Sequence, residues 1–171
     1  DLYEKEMYRS AQEQLTKAKL YTNPDDYITL ADIAYYDAMC ALNDKQANAV
    51  ILAEGVLNAT PKNPNYSLAA YEYAKYLFED EKYTDAKKWF AEVNSEDIPK
   101  KRMSEYYFKM GYCYYRSGTN SDKKIAVNYF RRVKDERSIY GDAASYYYSH
   151  VEYESGNYAT ASKGFERLRN N

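Results

Sequence analysis

The sequence predicts an all-α protein built as an α-solenoid of antiparallel helix pairs, and three observations carry that reading. One spacing pattern recurs along the chain at a nearly constant step. Prolines fall between the recurrences, where a helix has to stop. Six glycines and four prolines in 171 residues are too few for the many tight turns of an all-β fold.

The pattern reads Tyr158-x2-Ala161-x3-Phe165-x2-Leu168 near the C-terminus and Tyr83-x2-Ala86-x3-Phe90-x2-Val93 in mid-chain. It reads Tyr8-x2-Ala11-x3-Leu15-x2-Ala18 at the start. Without the leading tyrosine it returns as Ala126-x3-Phe130-x2-Val133, and more loosely as Ala49-x3-Ala53-x2-Val56. The alanines at 11, 49, 86, 126 and 161 are separated by 38, 37, 40 and 35 residues. Spacings of four and then three put these residues on one face of a helix, so each recurrence is an amphipathic helix with a buried stripe.

A second helical segment precedes most recurrences: LADIAYYDAMCAL, SLAAYEYAKYLFED, SEYYFKMGYCYYRSG and GDAASYYYSHVEYESG. Gly118 and Gly156 follow two of them, where a left-handed C-cap is expected. TNPDD, TPKNPN and EDIPKK separate the pairs, each holding proline. Asp25 and Asp26 are placed to cap the helix that follows. Ala74, Gly111 and Ser149 are small residues on first helices, predicted to let the two axes of a pair approach closely. The whole chain reads as one solenoid, with approximate repeats 1–22 (partial), 23–60, 61–98, 99–137 and 138–171.

Composition excludes several functions. A net charge of −2 argues against a nucleic-acid binder. No stretch approaches the ~18 consecutive apolar residues of a membrane span. One histidine and two unclustered cysteines make a metal site unexpected, and no cofactor is predicted. Cys40 and Cys113 occupy equivalent places two repeats apart, too distant for a disulfide, and are expected as buried free thiols. His150 has no nucleophile and orienting partner in a recognisable catalytic context. The acids of Glu79–Glu81 and the Lys100–Arg102 cluster read as solvated helix ends and loop. The chain begins without methionine, which reads as a processed or excised form.

A unit of about 34 residues with a small residue in its first helix, Ala-x3-Phe-x2-(Val/Leu) in its second and a proline after it resembles the tetratricopeptide repeat. Gly111, Tyr114, Ala126 and Phe130 carry the likeness in one unit, Ala74, Ala86, Phe90 and Pro99 in another, and Gly156, Tyr158, Ala161 and Phe165 in the last. Ser149 departs from the usual Gly or Ala, and TNSDKK lengthens one turn. SEYYFKMGYCYYRSG together with the stretch from Ser138 to Leu168 is similar to long exported repeat proteins of Bacteroidetes. That likeness implies an N-terminal portion of a larger envelope-associated solenoid.

The resemblance implies a concave groove lined by first helices that holds a partner protein or peptide. Its groove positions fall on Tyr71, Lys75 and Phe78, then Phe108, Tyr112, Tyr115 and Arg116, then Tyr146, His150 and Tyr153. Tyrosines with an arginine make a plausible contact surface, because each ring offers area at low entropy cost and ends in a polar tip. Most of the 23 tyrosines are nevertheless expected to pack between repeats. The expected function is therefore a non-enzymatic scaffold. A glycan-binding role in envelope uptake and a purely structural spacer stand as the alternatives.

Overall fold

The protein is described by a computed structural model covering residues 2–3 and 5–169, and all regular structure among them is helical. Nine α-helices follow one another: α1 Tyr8–Tyr21, α2 Tyr27–Asn43, α3 Ala49–Leu57, α4 Tyr66–Glu79, α5 Tyr83–Ala91, α6 Met103–Ser117, α7 Asn120–Arg131, α8 Ile139–Glu154 and α9 Tyr158–Arg169. Two single 3-10 turns, Ser95–Asp97 and Lys100–Arg102, lead from α5 into α6. Each helix packs on its neighbours in sequence. In addition α2 touches α4, α4 touches α6 and α6 touches α8.

Helix boundaries follow from local chemistry. Asp26 begins α2 by accepting a hydrogen bond from the Thr29 amide at 3.1 Å. The Thr29 hydroxyl, together with that bond, holds its carboxyl below the usual range. Thr119 and Ser138 do the same for α7 and α8 through the amides of Asp122 and Gly141. Between the helices of each pair the chain turns through one left-handed residue: Lys45, Glu81, Gly118 and Gly156. Three of these turns close with a 6→1 bond, from Gln46 to Ala41, Lys82 to Leu77 and Asn157 to Glu152. The same geometry stands before α1, where Glu6 is left-handed and the Met7 amide donates to the Leu2 carbonyl. The glycines mark two of these turns in the sequence. Lys45 and Glu81 accept the strained conformation without one.

In the middle of the chain the recurring stripe is buried where the spacing predicts. Ala53, Ala86, Ala126, Phe90 and Phe130 have no exposed surface, and Ala161 has 1 %. Gly111 lies against α7 so closely that an added Cβ would stand 2.9 Å from the Phe130 ring and 3.0 Å from the Tyr129 Cβ. In the last pair the close approach is reversed in sequence, with the glycine at Gly164 on α9 facing buried Ser149 on α8. The loop between α3 and α4 is pinned by buried Asn63, whose side-chain amide donates to the Ala31 carbonyl at 2.9 Å. Asn65 donates to Asp32 at 2.6 Å beside it. Cys40 and Cys113 are buried free thiols, pushed up to about 11 and about 12 by burial.

Candidate functional site

The ten residues expected on a groove divide into two groups. Tyr71 has no exposed surface. Its ring packs on Phe90 and Tyr106, and its hydroxyl donates to Glu105 at 3.0 Å. Burial and that neighbouring carboxylate push its phenol far above its ordinary range. Lys75 is spent on Glu72 at 3.0 Å, with its ammonium 5.3 Å from the Tyr71 ring. Tyr71 is thus sealed beneath Phe90 and Tyr106, whereas Lys75 is half-buried, with 18 % of its side chain exposed.

They belong to an ionic network between α4 and α6. Glu72, 6 % exposed, binds both Lys75 and Arg102. Glu105 binds Lys109 at 2.9 Å, and the Lys109 side chain is 8 % exposed. Burial alone would raise the Glu105 carboxyl, but Lys75, Lys109 and the Tyr71 hydroxyl outweigh it and hold the pKa low. The Tyr140 phenol is pushed up to about 12 by burial and by the same Glu105.

Most of the remaining residues join one chain of aromatic rings crossing α4, α6 and α8. Phe78 stands edge-on to Tyr112 at 5.5 Å, with the Lys109 ammonium 5.1 Å from its ring. Tyr112 meets Tyr147 at 5.0 Å, Tyr147 meets Tyr115 at 5.1 Å, and Tyr115 meets the His150 ring at 6.0 Å. Tyr146 touches both Tyr147 and His150. Phe108 is half-buried beneath this layer, among Phe130, Tyr140 and Tyr147. Tyr153 sits beyond the layer against Tyr158, at 5.3 Å.

Two members escaped the sequence reading. Tyr83 opens α5 and packs on both Phe78 and Tyr112, at 5.3 and 5.2 Å. The signal for it was present: Tyr158 opens α9 and meets Tyr153 in the same way, so the first residue of the second helix closes on the last turn of the first. Tyr147 was missed because it lies one residue off the expected stripe. It is the ring through which α8 covers Tyr112 and Tyr115.

Arg116 is the exposed charge of this surface. Its guanidinium lies 4.9 Å from the Tyr83 ring and 6.0 Å from the Tyr112 ring, and reaches the Tyr112 hydroxyl at 3.5 Å. Stacking of this kind fixes the plane of the guanidinium while leaving its donors turned to solvent. Nearby, the Tyr115 hydroxyl is 3.5 Å from His150 Nδ1, and that nitrogen is 3.8 Å from Glu154. Desolvation raises the Tyr115 phenol, which makes it a poorer nucleophile at neutral pH. Among the described residues no three His, Cys, Asp or Glu side chains are grouped to hold a metal ion, and no helix is long and apolar enough to cross a membrane. The arrangement can present flat rings and a fixed cation to a ligand surface. Comparison of the chain with protein-family profiles, curated proteins and solved structures finds no match.

Proposed function

We propose that this chain is a non-catalytic interaction scaffold of tetratricopeptide type, with its helix pairs stacked as an α-solenoid. It holds a partner protein or peptide on the strip running from Tyr83 through Tyr112, Arg116 and Tyr115 to His150. The stacked reading is supported by the regular contacts of α2, α4, α6 and α8 and by one left-handed turn per helix pair. The binding reading rests above all on Arg116, an exposed guanidinium held over two tyrosine rings. Arginine and tyrosine dominate interface energetics, and a side chain already fixed by stacking loses little entropy on binding. The sequence resemblance to exported repeat proteins is what supports looking for that partner in a bacterial envelope.

The test is affinity capture from the native envelope with the full chain, comparing the parent with Arg116→Glu. The substituted side chain is solvent-exposed, so the fold remains. The scaffold reading expects one discrete partner captured by the parent and lost with Arg116→Glu, while Lys124→Glu on exposed α7 surface keeps it. Equal capture by all three proteins would leave a structural spacer as the better account.

A further inference from the structure

Where the second helices of consecutive pairs flank the first helix between them, the resulting grooves do not carry the same charges. Around α6 the groove supplies its own cations. The Lys87 ammonium lies 4.9 Å from the Tyr114 ring, and the Arg132 guanidinium lies 4.8 Å from the Tyr107 ring. Lys87 stands one residue after Ala86, the stripe alanine of α5, and Arg132 stands six after Ala126, that of α7. Around α4 the same register puts Val50 one residue after Ala49 and Glu92 six after Ala86. An apolar residue and a carboxylate thus stand where the next groove has its two cations.

The groove around α4 opens as a cleft of about 530 Å³ in mid-chain, with further helices of the chain on both sides of it. Tyr73, 4 % exposed, and half-buried Trp89 form its aromatic floor, with ring centroids 5.6 Å apart. Two exposed carboxylates line it from the flanking helices, Glu54 on α3 and Glu92 on α5. Each is oriented by a phenol. The Tyr73 hydroxyl donates to Glu54 at 3.3 Å, and the Tyr66 hydroxyl donates to Glu92 at 3.2 Å. Among the described residues neither carboxylate is ion-paired, and no cation lies over Tyr73 or Trp89. Lys88, which also lines the cleft, is held by Asp85 at 2.9 Å, and the Lys62 ammonium rests on the Tyr66 ring at 3.5 Å.

We propose that this cleft binds a linear aliphatic polyamine, its methylene chain over the Tyr73 and Trp89 rings and its ammonium groups at Glu54 and Glu92. Charge complementarity selects the ligand class. Two oriented carboxylates without counter-ions on opposite flanks call for two cationic groups on one molecule. The rings between them call for carbon, because an alkyl chain laid there removes apolar surface from water. An ammonium close to an indole or phenol face gains further from the ring quadrupole. Lys62 and Lys87 make that contact with tyrosines of this same molecule. A bare metal ion would leave the rings uncovered, and a neutral ligand would leave both carboxylates without a counter-ion. The cleft is separate from the Arg116 strip, so either can fail alone.

Trp89 is the only tryptophan of the chain, so its emission reports this cleft. The probe is spermidine, titrated against the full chain and followed by Trp89 fluorescence and by calorimetry. Saturable 1:1 binding is expected. Glu54 and Glu92 are exposed, so their replacement by glutamine leaves the fold intact. Glu54→Gln and Glu92→Gln should each weaken binding about fivefold, the loss expected for one ion pair at an open site, and the double variant should not saturate. Glu13→Gln on the exposed surface of α1 and Arg116→Glu should leave binding unchanged. The proposal is overturned by absence of saturable binding or by undiminished binding to the double variant. It is also overturned if magnesium chloride or maltose gives the same Trp89 response as spermidine.

Discussion

Two helical glycines allow the close-approach argument to be tested with one substitution made twice. Gly55 lies inside α3 with nothing within 4 Å of the position a Cβ would take. Gly111 lies inside α6, where the same atom would meet the Phe130 ring at 2.9 Å and the Tyr129 Cβ at 3.0 Å. Alanine is favoured over glycine in a helix interior by about 0.5–1 kcal/mol, and that gain is shared by both sites. Gly55→Ala should therefore stabilise by about that amount. At Gly111 the Phe130 ring has no exposed surface and no room to retreat, so the helices must separate. Overpacking of this kind costs about 1–3 kcal/mol, which exceeds the propensity gain across most of that range. For a chain of this length 1 kcal/mol moves the midpoint by about 2–4 °C. Thermal melts followed by circular dichroism should place Gly55→Ala above the parent, and Gly111→Ala below Gly55→Ala by several degrees. If Gly111→Ala melts with or above Gly55→Ala, the α6–α7 approach is not close and the packing argument fails.

Further outcomes follow from the turns, the ionic network and the thiols. Gly118 has φ +78° and open space around it, so Gly118→Ala should cost about 1–2 kcal/mol by urea denaturation through backbone strain alone. Glu81→Gly should instead raise stability, because it relieves the same strain at φ 59°. The Glu105 carboxyl is held below its ordinary range in the folded protein, because Lys75 and Lys109 outweigh its burial. Its ionisation therefore contributes stability that is complete above the unfolded value and is lost as pH falls through the depressed native one. Glu105→Gln should lower stability at pH 7 by about 1–3 kcal/mol, by leaving Lys109 short of a partner, and should flatten the acid limb of the stability profile. An acid limb unchanged by this variant would remove Glu105 from that account. Cys40 and Cys113, at 0 % and 1 % exposure, should give no rapid reaction with a thiol reagent in the native protein and two equivalents in denaturant.

The helices were legible because their signal is local. Four-then-three spacing fixes a buried face, and Ala86, Phe90, Ala126 and Phe130 are buried where that spacing puts them. Turn positions were legible only where glycine marks them, as at Gly118 and Gly156. Lys45 and Glu81 adopt the same left-handed conformation under tertiary constraint, and nothing in their side chains announces it. The candidate surface was legible by register but not by coverage. Tyr71, Phe108 and Tyr146 hold equivalent positions, yet the first is sealed and the last is open. That difference depends on which helix lies over each, a long-range property no single segment encodes. The pinning of Tyr71 by Glu105 was hidden for the same reason, since the partners lie 34 residues apart on different helices.

The central claim, that the strip around Arg116 is a partner-binding surface, is tested most directly by site-specific photocrosslinking in the cells that make the protein. A photoreactive phenylalanine placed at Tyr115 samples the strip. The same residue at Ile51, which is 71 % exposed on α3, samples a surface with no assigned role. The account predicts one discrete adduct from position 115 that disappears when Arg116→Glu is added, and none from position 51. No adduct from 115, or the same adduct from both positions, would contradict it.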